Sequence, residues 1–192
     1  MTGASRRLGQ SMALALADAG PDIVAVATRE LDDTVAGVEA LGRTCLPVLA
    51  DLSDRDSVSK VMTEARRSFS QLDVLVNCAG IIRRADFVDF TEDDWDDVMK
   101  VNIDAVFFLS QAFVRDALAR GGTAKIINIA SMLSFQGGIR VPSYTSSKSA
   151  VVGLTQVDRM RTRRPGHQCE RHRARLHGDR QHGSAARRCR AQ

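Results

Sequence analysis

Residues 125–155 read KIINIASMLSFQGGIRVPSYTSSKSAVVGLT. The apolar run Ile126–Ala130 predicts a buried strand. Ser131 follows at its carboxyl end, where open α/β sheets form their ligand crevice. Tyr144 and Lys148 are four apart, so on a helix they share one face and the ammonium lies beside the phenol. A phenol titrates near ~10 and is a poor base at neutral pH. A neighbouring cation favours the phenolate and makes it usable. Ser, Tyr and Lys are the groups that hydride transfer at a carbonyl needs. One polarises the oxygen, one exchanges its proton, and one tunes the second.

Upstream, the pattern alternates. Gln10–Ala19 has a helical apolar stripe stopped by Gly20-Pro21, and Ile23–Ala27 reads as a short buried strand. Asp32–Leu41 reads as a helix, Thr44–Ala50 as a strand, Asp54–Phe69 as a helix and Leu72–Val76 as a strand. A long helix begins at the capping box Thr91-Glu92-Asp93-Asp94, with Trp95, Val98 and Met99 as core. Strands alternating with helices predict an α/β fold with a doubly wound parallel sheet.

S-x12-Y-x3-K resembles the signature of the short-chain dehydrogenase/reductase family, and other motifs agree with it. Thr2-Gly3-Ala4-Ser5-Arg6-Arg7-Leu8-Gly9 resembles the family's T-G-x3-G-x-G cofactor turn, with Arg7 where the middle glycine is usual. Asn77-Cys78-Ala79-Gly80 is close to N-N-A-G, with Cys78 as a small filler in place of the second Asn. Asp51-Leu52 resembles the family's pair near the adenine, and Asp51 also suits a helix cap. The resemblance implies a Rossmann-like fold and NAD or NADP as cofactor. It places Thr2, Gly3, Ser5, Arg6, Leu8, Arg29, Asp51, Leu52, Asn77, Ala79, Gly80, Tyr144 and Lys148 around that cofactor. It makes Tyr144 the general acid/base, Ser131 the holder of the carbonyl or hydroxyl, and Lys148 the group that lowers the Tyr pKa and binds the ribose. Asn102 holds a water in the proton relay. Thr28-Arg29-Glu30 is mixed: Arg29 with Arg6 suits NADP, and Glu30 suits NAD.

The loop between Ser131 and Tyr144, with GIIRRADFVDFTEDDWDDVMKVN, resembles the subgroup that acts on 2-deoxy-D-gluconate and 2-dehydro-3-deoxy-D-gluconate. That implies a small-molecule sugar-acid substrate and a homotetramer. A sugar acid needs a cation for its carboxylate. Arg84 and Arg140, with Gln136, flank the expected crevice, and guanidinium pairs with carboxylate bidentately. The alternatives are a 3-oxoacyl-type or other ketone reductase of the same family, or a non-catalytic nucleotide- or nucleic-acid-binding remnant.

The 192 residues suit one domain with a sizeable core. They hold no apolar run of about 20 residues, which argues against a membrane span. MTGASRRLGQ has no apolar signal core, and Cys45, Cys78, Cys169 and Cys189 show no metal or disulfide spacing. Both suit a reducing cytoplasm. The family's first strand is missing before Thr2, so the expected start lies upstream of Met1, the initiator being a valine codon.

The net charge of +4 hides two compositions. Residues 1–156 hold sixteen Lys and Arg against twenty Asp and Glu, a net −4; residues 157–192 hold eleven Arg against three acids, a net +8. Residues 1–156 read as an incomplete catalytic domain whose acidic balance argues against nucleic acid, and 157–192 as an aberrant, disordered basic tail. A basic tail can bind nucleic acid. His167, His172, His177 and His182 recur every five residues, which sets them about 140° apart on a helix, so they share no metal-binding face. A frameshift explains more. One choice of codons that encodes His167–Ala185 as written reads, one base over, INVNAIAPGYMATDNTAA, an apolar-and-Asn stretch followed by Pro-Gly. Suitable codons extend this through Ala191 as LRADAER. The expectation is a shift between about Thr155 and His167.

Overall fold

The computed structural model of the chain describes residues 1–161, and side chains through residue 157. In order, the elements are α1 (Arg7–Asp18), β1 (Ile23–Ala27), α2 (Asp32–Ala40), β2 (Cys45–Leu49), α3 (Asp56–Ser68) and β3 (Val74–Asn77). A 3-10 turn (Phe87–Asp89) leads to α4 (Glu92–Met99), a π-helical turn (Lys100–Asp104), α5 (Ala105–Ala119), β4 (Lys125–Asn128), α6 (Leu133–Gln136) and α7 (Pro142–Arg161). The tail beyond residue 161, with its histidines and its expected disorder, lies outside the described residues.

The strands are parallel. β1 pairs with β2 from Ile23↔Cys45 to Ala27↔Leu49, and β3 with β4 from Val74↔Lys125 to Asn77↔Asn128. Met1 and Thr2 join the two pairs. The Val26 amide donates to Met1 O at 2.9 Å and the Thr2 amide to Val76 O at 2.9 Å, so these residues run between β1 and β3. Along β1 the side chains alternate between two cores, as a doubly covered strand requires. Ile23, Ala25 and Ala27 pack with Ala13 and Ala17 of α1 and Val38 of α2. Val26 packs with Val58 and Val61 of α3 and Leu109 and Phe113 of α5. The fold is therefore the expected Rossmann-like α/β layering.

Several local expectations change. Thr91 caps α4 as its sequence suggests, accepting from the Asp94 amide at 3.1 Å. Asp51 does not cap α3. Its Oδ1 accepts from the Ser53 amide (2.9 Å) and hydroxyl (2.8 Å), while Asp54 takes the Asp56 amide at 3.0 Å. Val98 is fully buried, but Trp95 is 39% exposed. β4 is a half-covered strand rather than a buried one: Lys125 and Ile127 are exposed and Ile126 and Asn128 half-buried.

Candidate active site

Gly3 sits at φ +69, a conformation that L side chains rarely adopt, and a Cβ there would lie 2.8 Å from the Ala79 backbone. A Cβ on Gly9 would lie 1.9 Å from Gly3 O. The two glycines thus let the turn press against the exit of β3 and let α1 press against the turn. Arg7, standing where the resemblance has a glycine, takes φ +48. The backbone keeps the glycine conformation and bears its strain, of order 1 kcal/mol. Thr2 is 2% exposed, and its Oγ1 accepts from the Cys78 and Ala79 amides at 3.1 Å each. Thr34, which the sequence did not single out, donates to Ala4 O at 2.8 Å from behind. α1 begins with no side-chain cap and no acid in its first turn. Its free amides beside this turn suit a pyrophosphate, so the residues fit a dinucleotide. Ser5 is half-buried, and Arg6, Leu8, Arg29 and Asp51 are exposed, while Leu52 and Asn77 are buried.

The other wall is built by hydrogen bonds. Asn102 is fully buried in the π-helical turn. Its Oδ1 accepts from the Ile81 amide at 2.8 Å, and its Nδ2 donates to Ile81 O at 2.9 Å and to Ser147 Oγ at 3.2 Å. Both of its N–H groups are thereby spent on protein. Ser147, fully buried, donates onward to Tyr144 O at 2.9 Å. Neither Ile81 nor Ser147 was a candidate, because neither carries a signature of its own. Beneath them Asn77 donates to Asn128 Oδ1 at 2.8 Å and to Ser110 Oγ at 3.1 Å, and Asn128 donates to Thr155 at 3.0 Å.

Lys148 is 5% exposed and donates to Ile129 O at 2.6 Å. Burial pushes its pKa down, and the nearby Cys78 opposes that. Its ammonium stands 5.9 Å from the centre of the half-buried Tyr144 ring. Gly80 lies over this point: a Cβ there would lie 3.3 Å from Asn102 Oδ1 and 3.6 Å from Lys148 Nζ. Asn102, Lys148 and Gly80 therefore converge. Ser131, half-buried, accepts from the Leu133 amide at 3.2 Å and so starts α6. Cys78 is half-buried, and burial pushes its thiol pKa up. At the rim, Arg84 and Gln136 are exposed, and Arg140, at φ +63, pairs through Nε with Asp86 at 3.0 Å. A cavity of about 280 Å³ between α3 and the π-helical turn shares only Leu52 with these residues and lies outside the crevice.

A parallel sheet with a glycine turn at its centre and a Tyr–Lys pair on the helix after β4 defines a dehydrogenase class. The short chain dehydrogenase family matches residues 1–166, and the chain belongs to it. It is 54% identical over 157 residues to the 2-dehydro-3-deoxy-D-gluconate 5-dehydrogenase of Escherichia coli, covering 82% of this chain and 62% of that protein. It is 38% identical over 158 residues to the gluconate 5-dehydrogenase of Gluconobacter oxydans, covering 81% and 61%. Among solved structures it resembles a candidate 2-deoxy-D-gluconate 3-dehydrogenase of Agrobacterium tumefaciens with NADP bound, at 48% identity and TM-score 0.75, over 83% of this chain and 63% of that one. The chain thus spans somewhat under two thirds of these relatives' length.

Proposed function

We propose that the protein carrying this chain is an NAD(P)-dependent oxidoreductase that moves a hydride between nicotinamide and a keto or hydroxy sugar acid of the 2-deoxy-D-gluconate type. The observation that carries this reading is the convergence of Asn102, Lys148 and Gly80 beside Tyr144, in a chain 54% identical to a sugar-acid dehydrogenase. The cofactor, NAD or NADP, supplies or accepts the hydride. Gly3, Gly9 and the start of α1 hold its pyrophosphate; Asp51, Leu52 and Arg29 border its adenosine end. Tyr144 moves the proton at the substrate oxygen, and Ser131 holds that oxygen. Lys148, kept dry by burial and anchored on Ile129 O, sets the field at the phenol and reaches the ribose. Asn102 joins the β3 loop to α7, so its part in a relay is to hold Ile81 and Ser147 in place. Arg84 and Arg140 take the substrate carboxylate, with Gln136 beside them.

Residues 1–156 form the catalytic unit, and 157–192 are its shifted-frame continuation. The whole protein assembles as a homotetramer and works in the cytoplasm. The assay takes the product of the resequenced gene, with 2-deoxy-D-gluconate and 2-dehydro-3-deoxy-D-gluconate and each nicotinamide. Tyr144→Phe is expected to lower turnover about 10²–10⁴-fold with the fold intact. Turnover indifferent to that substitution, or faster with a 3-oxoacyl thioester, would sink the reading.

A further inference from the structure

Three arginines lie on the loops that border the crevice, and the fold gives them different partners. Arg83 is pinned to α4, with Nε 3.2 Å from Asp94 and Nη2 3.0 Å from Asp97. It fixes the loop after β3, as Asn102 does by bonding both backbone groups of Ile81. Arg84 is exposed and enters no ion pair among the described residues. Arg140 stands between these extremes. It lies just before Pro142, where α7 starts, and its Nε meets Asp86 Oδ1 at 3.0 Å. Both side chains of that pair are more than half exposed, Arg140 at 59% and Asp86 at 65%. The pair bridges the loop after β3 to the loop after Ser131.

A guanidinium grips a carboxylate best through two N–H groups of one edge. Asp86 occupies the Nε side of Arg140, and its negative charge repels a second carboxylate from the remaining N–H groups. Asp86 and a sugar acid present the same chemical group, so they compete for one cation. The exposure of the pair sets how hard they compete. An exposed ion pair is favoured over its open form by only about one- to fivefold. An arriving carboxylate can therefore displace Asp86, whereas a neutral sugar has nothing to put in its place.

We propose that Asp86 is a positioning residue for the substrate carboxylate: it holds Arg140 in the empty crevice and yields it when a carboxylate binds. The proposal rests on the reading of Arg84 and Arg140 as the carboxylate's ligands. Arg84 makes the first contact, because it has no acid to leave, and Arg140 closes second by exchanging one carboxylate for another. Only the fraction of molecules with Arg140 released binds through both arginines. Asp86 thus weakens the apparent affinity for a sugar acid by about two- to sixfold, the cost of opening such a pair.

The test is steady-state kinetics of the product of the resequenced gene with 2-deoxy-D-gluconate. The variants are Asp86→Asn, Asp86→Ala, Arg140→Gln and Asp86→Asn combined with Arg140→Gln. Each single change at Asp86 is expected to lower KM about two- to sixfold with kcat unchanged. In the Arg140→Gln background, Asp86→Asn is expected to leave KM where it was. If Asp86 only braces the two loops, its loss raises KM or lowers kcat, and either result overturns the proposal. So does an unchanged KM, or a fall in KM that persists without Arg140. When the unaltered enzyme turns over the sugar acid and Tyr144→Phe does not, those results strike Asp86 alone and leave the catalytic reading standing. No turnover by the unaltered enzyme sinks both.

Discussion

Around β1 and β2 the packed side chains are aliphatic: Ala13, Ala17, Ile23, Ala25, Leu31 and Val38 meet with little polar between them. Around β3, β4 and α7 an apolar core of Leu75, Val76, Leu109, Phe113 and Val151 is joined by buried polar groups: Asn77, Asn102, Ser110, Ser143, Ser147 and Lys148. The first half needs only shape: small residues bring α1 onto the sheet and close the glycine turn, and dispersion and burial hold it. The second half must hold an ammonium and two amides at set positions without water. That takes directional bonds, each costly if its partner is lost. Cofactor cradle and proton machinery in one sheet are thus held by different forces and should fail differently.

The sharpest way to break the first half is Gly9→Ala. Its Cβ would need the space of Gly3 O, 1.9 Å away, so α1 must move. We expect a loss of about 3 kcal/mol in denaturant unfolding, the upper end of overpacking costs, together with loss of NADP binding by fluorescence titration. Next comes the one charged intruder in that half. The Met1 ammonium donates to Val24 O at 2.7 Å, yet burial pulls its pKa from 8.0 down to about 6. In a polypeptide with this amino group, the unfolded chain keeps the proton up to near pH 8 and the folded chain releases it near pH 6. Between these values the unfolded state binds more protons, so stability should rise with pH across that window, by about 2–3 kcal/mol. Urea midpoints measured from pH 5.5 to 8.5 would show it, and Nα-acetylation should flatten the slope.

The second half is tested by Asn102→Leu, which keeps the branched heavy-atom outline and strips three hydrogen bonds. The Ile81 N–H and C=O lose their partner, for about 2 kcal/mol. Exchange at the Ile81 amide should quicken while β1 and β2 are unaffected; equal quickening there would erase the contrast between the halves. The smallest effect belongs to the surface. Arg55 pairs with Asp104 at 3.2 Å, and its side chain is 69% exposed. Asp104→Asn should change stability by no more than about 0.5 kcal/mol.

Much of this was legible in order along the chain. The cap at Thr91 and the strand–helix alternation follow from neighbours a few residues apart, and so do the breaks at Gly20 and Gly42. Asp51, beside its expected place near the adenine, also suits a helix cap in the sequence, because acids before helices often cap them. Its carboxylate closes the nearer Ser53 turn instead, and Asp54 takes the Asp56 amide. Trp95 reads as core from its type and its place beside Val98, but it is 39% exposed while Val98 is fully buried. In the sequence Arg140 reads as a cation for a substrate carboxylate. The fold gives it Asp86, 54 positions away, and a left-handed backbone.

The sequence by itself determined that a glycine turn precedes a parallel α/β alternation, and that Tyr144 and Lys148 lie on one face of the helix after β4. Those features depend on spacing within a turn or two of helix or strand, which covalent geometry sets. Only the tertiary structure decided that Asn102 spends its amide on Ile81 and Ser147, that Thr2 ties the turn to Cys78 and Ala79, and that β4 pairs with β3. The partner of a buried amide, or of a strand edge, is chosen by groups far apart in the chain that packing brings together, and no local pattern records that choice.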